Sequence, residues 1–370
     1  GLVGRTVLKV LEEKNLPISE YVLFASAKSA GKEIRFMNKD YIVQELNETS
    51  FDSGFDYAIF SAGSSTSKKF SPIAASKGCI VVDNSSAFRM DDDVPLVVPE
   101  VNPEEIQNNH GIIANPNCST IQAVVALKPL DDKYKIKRIV YSTYQAVSGA
   151  GRYGVEDLEN GIMSYKTDKA YLDNTDLDIF SNICNTSTNY ELKKFNYPIF
   201  SNCLPHIDVF LEDGYTKEEE KMINETKKIL KKPDLKITAT TVRVPVFNSH
   251  SESINVEFKN DFEIEDLVKT LSDFPGIIVQ DNIVQNASDN MDNPVYPLAI
   301  NASGHDEVFV GRIRRDYSLK SGVNLWIVAD NIRKGAASNA VQIVEKMLQI
   351  SWPWTKGTLL FVQKIGQKGQ

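Results

Sequence analysis

The chain has 370 residues, enough for two ordinary domains, and is 42% hydrophobic, 24% charged and 9% aromatic. That composition excludes a disordered, collagen-like or disulfide-scaffold protein. Lysine and arginine total 41 against 49 aspartates and glutamates, a net charge of −8 with no long basic run, which argues against a nucleic-acid or anionic-membrane surface.

In chain order, Gly1-x-x-Gly4 precedes a helix over residues 6–14, with Val3, Val7, Val10 and Leu11 on one face. Buried strands are expected at 21–26, 57–61, 79–83 and 112–114. Short apolar runs separated by helical patterns predict β-α-β units around a parallel sheet. An apolar helix follows at 121–127. From about Lys137 the pattern turns β-rich, with a strand at 138–143 and another at 307–314. Strands at 237–246 and 251–258 read as neighbours joined by a turn at Phe247-Asn248-Ser249. Helices are expected at 217–231, 263–274 and 333–349, the last crossing back to the first domain. Mixed elements without strict alternation indicate an α+β second domain.

Four sparse cysteines (Cys79, Cys118, Cys184 and Cys203) suit a reducing compartment. With no apolar run long enough to span a bilayer and no signal-peptide core, the expectation is a cytoplasmic protein with no membrane partner. Cys203-Leu204-Pro205-His206 is half of a zinc spacing without a second half, so no metal is expected.

Gly1-x-x-Gly4 has the form of the back half of a phosphate loop, in which glycines let backbone N–H groups approach a pyrophosphate. About 20 residues on, an NAD-preferring protein would carry an acidic residue. Ser26-Ala27-Lys28-Ser29 offers hydroxyls and a cation instead, which suits a 2′-phosphate and favours NADP. Asn115-Pro116-Asn117-Cys118-Ser119-Thr120 sets Cys118 at a helix N-terminus, where the dipole and free N–H groups lower a thiol pKa. The competing reading is a buried structural thiol, as expected for Cys79. The small-residue loop at 144–152 can admit a ligand near its backbone. Arg243 and His250 lie seven residues apart, and His250 is either a base for Cys118 or a surface histidine. Arg89 either binds an anion or caps a surface.

Asn115-Pro116-Asn117-Cys118, Gln145 with Ser148-Gly149-Ala150-Gly151, and Arg243 through His250 resemble the aspartate-semialdehyde dehydrogenase family. So do Phe60-Ser61-Ala62-Gly63, Val82 through Arg89, and Ala329 through Ala337, and the similarity runs in order from Gly1 to about Gln349. The resemblance implies NADPH-dependent reduction of L-4-aspartyl phosphate to L-aspartate 4-semialdehyde and phosphate, in lysine, threonine, methionine and isoleucine biosynthesis. It implies Cys118 as the nucleophile that forms a thioester, His250 as the acid/base residue and Gln145 as the group that orients the reacting atoms. Arg243 corresponds to the arginine that grips the substrate carboxylate, which a bidentate guanidinium does better than an ammonium. Arg89 and Lys221 correspond to phosphate-holding positions, and Glu218 to the position near the substrate ammonium. Asn117 falls among the substrate-binding residues. Glu218 and Lys221 are three apart on an expected helix and share a face, which is also the spacing of an ordinary surface ion pair.

For the cofactor, the resemblance implies that Gly1, Leu2, Val3 and Gly4 meet the pyrophosphate, and that Ser26, Lys28 and Ser29 meet the 2′-phosphate. Gly63, Ser85, Gly149 and Asn331 fall near the adenosine or nicotinamide. The implied fold is an α/β Rossmann-type NADP-binding domain (1–117) plus an α+β catalytic and dimerisation domain (118–317). A C-terminal helical segment (318–350) returns to the first domain, and the protein is expected to be a homodimer or homotetramer. The first strand of the Rossmann unit has no counterpart before Gly1. Residues 351–370 have no family counterpart, but Thr358-Leu359-Leu360-Phe361-Val362 is strand-like enough to fill a vacant sheet edge. The nearest alternatives are N-acetyl-γ-glutamyl-phosphate reductase, with the same Cys/His chemistry, and a non-catalytic nucleotide-binding relative.

Overall fold

The structure, a computed structural model, describes residues 1–167, 190–282, 294–350 and 357–363. Cys184 and most of the 351–370 segment lie outside the described residues. The first helix, α1 (Leu2–Lys14), buries Val7, Leu8, Val10 and Leu11 along one stripe. It ends at Asn15, whose left-handed backbone (φ 44°) lets its N–H cap Leu11 O. Then come β1 (Ile18–Ala25), a ribbon of β2 (Glu33–Phe36) and β3 (Lys39–Ile42), and the short β4 (Gln44–Glu45). β5 (Tyr57–Ser61), α2 (Ser64–Ser76), β6 (Ile80–Asp83) and β7 (Ile112–Ala114) complete the first stretch.

The second stretch comprises α3 (Cys118–Tyr134), β8 (Ile136–Gln145), α4 (Arg152–Thr167), α5 (Lys217–Ile229), β9 (Lys236–Arg243) and β10 (His250–Phe258). It continues through α6 (Ile264–Ser272), β11 (Ile277–Val279), β12 (Val308–Asp316) and β13 (Gly322–Ala329). A π-turn, Arg333–Ala337, leads into α7 (Ser338–Ile350), and β14 (Gly357–Gln363) comes last.

The first sheet is parallel throughout, in the order β4-β1-β14-β5-β6-β7. The expectation that 358–362 would occupy an edge is therefore corrected: β14 stands inside the sheet, paired with β1 and β5. The cause is its unbroken apolar run. Leu359 and Phe361 pack with α1 and α7, while Leu360 and Val362 pack with Phe24, Phe60 and Ala74 on the other face. Such two-sided burial belongs to interior parallel strands. In the doubly wound order 3-2-1-4-5-6 this is the slot of the first strand.

The second sheet runs β11-β12-β13-β10-β8-β9. Here too one expectation is corrected, because β9 and β10 are not neighbours. β9 lies parallel to β8, from Arg138↔Lys236 to Gln145↔Arg243, while β10 lies antiparallel along the other side of β8. The link at 244–249 thus crosses the end of β8, which gathers Gln145, Arg243 and His250 at one end of the sheet. Helix α3 is buried nearly all round and shares a core with this sheet and with Leu96, Val98 and Ala114 of the first domain. Its N-terminus follows β7 of the first sheet and abuts Gly335 of the π-turn. Among the described residues no helix is long and apolar enough to cross a membrane.

Candidate active site

Cys118 is the first residue of α3. Asn117 before it has extended backbone, and its side-chain oxygen accepts the N–H groups of Ser119 (3.0 Å) and Thr120 (3.3 Å). This N-cap fixes the turn that presents the thiol. Helix α5 holds Asn117 from outside: its amide nitrogen donates to Glu218 Oε1 at 2.9 Å and its backbone N–H to Glu225 Oε2 at 2.6 Å. The π-turn closes the other side, since a Cβ on Gly335 would lie 2.7 Å from Cys118 Cβ. The predicted low thiol pKa is not found. Burial and the Glu218 carboxylate push the Cys118 thiol up to about 12, against the pull of Arg243 and Arg89.

The sheet end supplies the next groups. Gln145 accepts from Thr143 Oγ1 (3.0 Å) and donates to Glu218 Oε1 (3.1 Å), so its amide is held by both ends. Arg243 Nη1 donates to Ala146 O at 2.6 Å. His250 is fully buried, and its Nδ1 accepts the Ala146 N–H at 3.0 Å. A ring that accepts at Nδ1 carries its proton on Nε2 when neutral. Burial and then Arg243 keep His250 neutral by driving its pKa well below the ordinary value. Among the described residues Nε2 has no hydrogen-bond partner, and it lies under Gly149, 3.2 Å from where a Cβ would stand. In the resting state His250 therefore presents an N–H donor at Nε2.

Arg89, Asn117, Cys118, Gln145, Gly149, Glu218, Lys221 and Arg243 line one cavity of about 590 Å³. Lys221 reaches Asp208 at 2.7 Å and Glu218 at 3.3 Å, so the three-residue spacing does make an ion pair, but at the cavity wall. Burial acts to raise the Glu218 pKa, yet Lys221, Asn117, Gln145 and Arg243 outweigh it and hold the carboxyl below its usual range. Asn331 joins from behind Gly149, exchanging hydrogen bonds with Ser148 and accepting the Ser249 N–H at 2.9 Å.

The remaining predicted residues follow the carboxyl edge of the parallel sheet, after β1, β5 and β6, or begin α1. Gly1, Leu2, Val3 and Gly4 form the start of α1, with no acidic residue in its first turn. Ser26 and Lys28 are exposed just beyond β1, whereas Ser29 is buried. Gly63 caps α2 with φ +93° and nothing within 4 Å of a Cβ, and Ser85 Oγ donates to Asp83 at 2.7 Å. A helix N-terminus, an open glycine and a lysine at this edge fit a dinucleotide phosphate chain. Sequence reasoning missed Glu225, Gly335 and the Ala146 backbone. The charged stripe 218-221-225-228 and a glycine inside a helical pattern were the available signals.

The family description "Semialdehyde dehydrogenase, NAD binding domain" matches residues 1–109, and "Semialdehyde dehydrogenase, dimerisation domain" matches 127–334. An aspartate-semialdehyde dehydrogenase of Aquifex aeolicus is 52% identical over 351 residues, covering 94% of this chain and 96% of that protein. The chain belongs to the aspartate-semialdehyde dehydrogenase family. The Bacillus subtilis member is 43% identical, covering 95% of this chain and 96% of its own length. The crystal structure of aspartate semialdehyde dehydrogenase II from Vibrio cholerae superimposes with a TM-score of 0.84 at 43% identity, covering 95% of this chain and 97% of that one.

Proposed function

We propose that this chain reduces L-4-aspartyl phosphate to L-aspartate 4-semialdehyde and phosphate, reversibly, with NADPH in preference to NADH. The observation that carries this reading is the convergence of Cys118, Gln145, Arg89 and Arg243 on one cavity. Cys118 Sγ attacks the acyl carbon, the carbon–oxygen bond to phosphate breaks, the thiol proton passes to the departing phosphate, and a thioester remains on the enzyme. Arg89 and Lys221 hold the phosphoryl group, and Arg243 grips the substrate carboxylate. Glu218 meets the substrate ammonium. That pairing cancels the carboxylate's repulsion of the thiolate, so substrate binding itself favours ionisation of Cys118. Gln145 orients the acyl group, and His250 Nε2–H donates to the oxygen that gains charge at the reacting carbon.

NADPH, when bound, supplies the hydride that turns the thioester into the aldehyde product. Gly1, Leu2, Val3 and Gly4 would hold its pyrophosphate, and Ser26, Lys28 and Ser29 its 2′-phosphate, with Gly63, Ser85, Gly149 and Asn331 around the rest. The composition argues for a cytoplasmic enzyme. A homodimer through the outer face of the second sheet is supported by half-exposed Tyr144, tilted against Trp326 at 5.5 Å on that face. Offering aspartate semialdehyde and N-acetylglutamate semialdehyde in competition, with phosphate and NADP, tests the substrate. Turnover of the aspartate compound is expected, and preference for the acetylated one would overturn the reading.

A further inference from the structure

Among the charged residues of helix α5, Glu218, Lys221, Glu225 and Lys228 fall at intervals of three, four and three, which places them on one helical face. This face does not look to solvent. Glu218 and Lys221 line the cavity, and Glu225 is buried, its side chain 1% exposed. Glu225 makes two bonds to two distant segments. Its Oε1 accepts Arg89 Nη1 at 3.0 Å, and its Oε2 accepts the N–H of Asn117, the residue before the nucleophile, at 2.6 Å. Arg89 sits on the loop after β6, whose backbone is tied to the same helix by Lys228 Nζ through the carbonyls of Arg89 (2.9 Å), Asp91 (2.7 Å) and Val94 (2.9 Å).

We infer that Glu225 is a positioning residue for the phosphate site, a single carboxylate that sets the guanidinium of Arg89 at a fixed distance from Cys118. The inference rests on the proposed reading of the cavity as an acyl-phosphate site. One oxygen faces the group that holds the leaving phosphate, and the other faces the turn that holds the attacking sulfur. Among the described residues the other Arg89 side-chain bond is Nη2 to the uncharged Asn84 O, long at 3.3 Å, so Glu225 is the charged anchor of this side chain. A buried carboxylate that loses its cationic partner, or a buried guanidinium that loses its carboxylate, is driven to find another arrangement. Arg89 would then lean towards the cavity or away from it, and the phosphate would be met at the wrong distance from the thiol.

The experiment is the phosphate-dependent oxidation of aspartate semialdehyde with NADP, run on the full chain. The Michaelis constants for phosphate, semialdehyde and NADP are measured separately in wild type, Glu225→Gln, Arg89→Ala and the double variant. Glu225→Gln is expected to raise the phosphate KM by about tenfold or more, with the NADP KM unchanged within about twofold. In the Arg89→Ala background it is expected to add little, because the group it positions is gone. Glu225→Asp, which keeps the charge on a shorter stem, is expected to fall between wild type and Gln. It serves as the test variant if Gln does not fold. An unchanged phosphate KM would overturn the inference. So would an equal loss in all three constants, or a full multiplicative effect on top of Arg89→Ala. Absence of phosphate-dependent turnover in the wild type would instead overturn the proposed function and leave the Glu225 geometry unexplained by it.

Discussion

Replacing Gly335 by alanine puts one methyl group against the nucleophile. The new Cβ would stand 2.7 Å from Cys118 Cβ and 3.2 Å from its Cα, where carbon atoms settle at about 3.5–4.0 Å. Something must move by about 1 Å, and both sides are pinned. On the glycine side, Lys334 is buried and bonded to Glu100 (2.7 Å), Gln342 (2.9 Å) and Asn339 (3.2 Å). Arg333 next to it pairs with Glu13 and Asp306. On the cysteine side, Asn117 is bonded to Glu218 and Glu225 and caps α3. Overpacking of this kind costs about 1–3 kcal/mol, which predicts a loss of a few degrees in Tm. A misplacement of about 1 Å at a reacting atom predicts a fall in kcat of about 100-fold. The NADP KM should stay near the wild-type value, because the loop at the start of α1 is untouched. Steady-state kinetics and alkylation of Cys118 by iodoacetamide read both effects. A kcat within about threefold of wild type, with normal alkylation, would refute the claim that this glycine makes room for the thiol.

The raised thiol pKa predicts that alkylation of Cys118 in the free enzyme climbs steadily between pH 7 and 10, because the thiolate fraction is still growing there. A plateau below pH 8 would contradict it. Glu218→Gln removes a like charge, so the thiol pKa should drop by about 1–2 units and alkylation at pH 8 should speed up by about tenfold or more. An unchanged rate would show that burial alone sets the pKa. Arg243→Lys should raise the aspartate semialdehyde KM by about tenfold or more, since an ammonium cannot both bond Ala146 O and grip a carboxylate in fork geometry. Unchanged kinetics would remove Arg243 from the substrate.

The fold was largely legible where local pattern and tertiary role agree. The strands at 57–61 and 112–114 and the helix starting at 217 lie where the sequence pattern predicts, and in the structure Thr216 forms a full capping box with Glu219. Pairing was less legible. β9 and β10 are close in sequence, but nothing in either run says that β8 will lie between them. For β14 the apolar run announced a strand, while its interior slot depends on Leu359 and Leu360 meeting cores on opposite faces. In the site, motif order gave the cavity residues. The ionisation of Cys118 was misread because the helix N-terminus is visible in sequence, whereas the burial of the thiol and the Glu218 carboxylate, 100 residues on, are not. The His250 tautomer was equally hidden, since it depends on the backbone N–H of Ala146, just past the end of another strand.

The central claim is that Cys118 carries the acyl group between phosphate and hydride chemistry. It is tested most directly by following NADPH absorbance with aspartate semialdehyde, NADP and varied phosphate in wild type and in Cys118→Ala. The account predicts NADPH formation that depends on phosphate in the wild type, and none in a Cys118→Ala protein with an unaltered circular dichroism spectrum. Normal turnover in Cys118→Ala would contradict it.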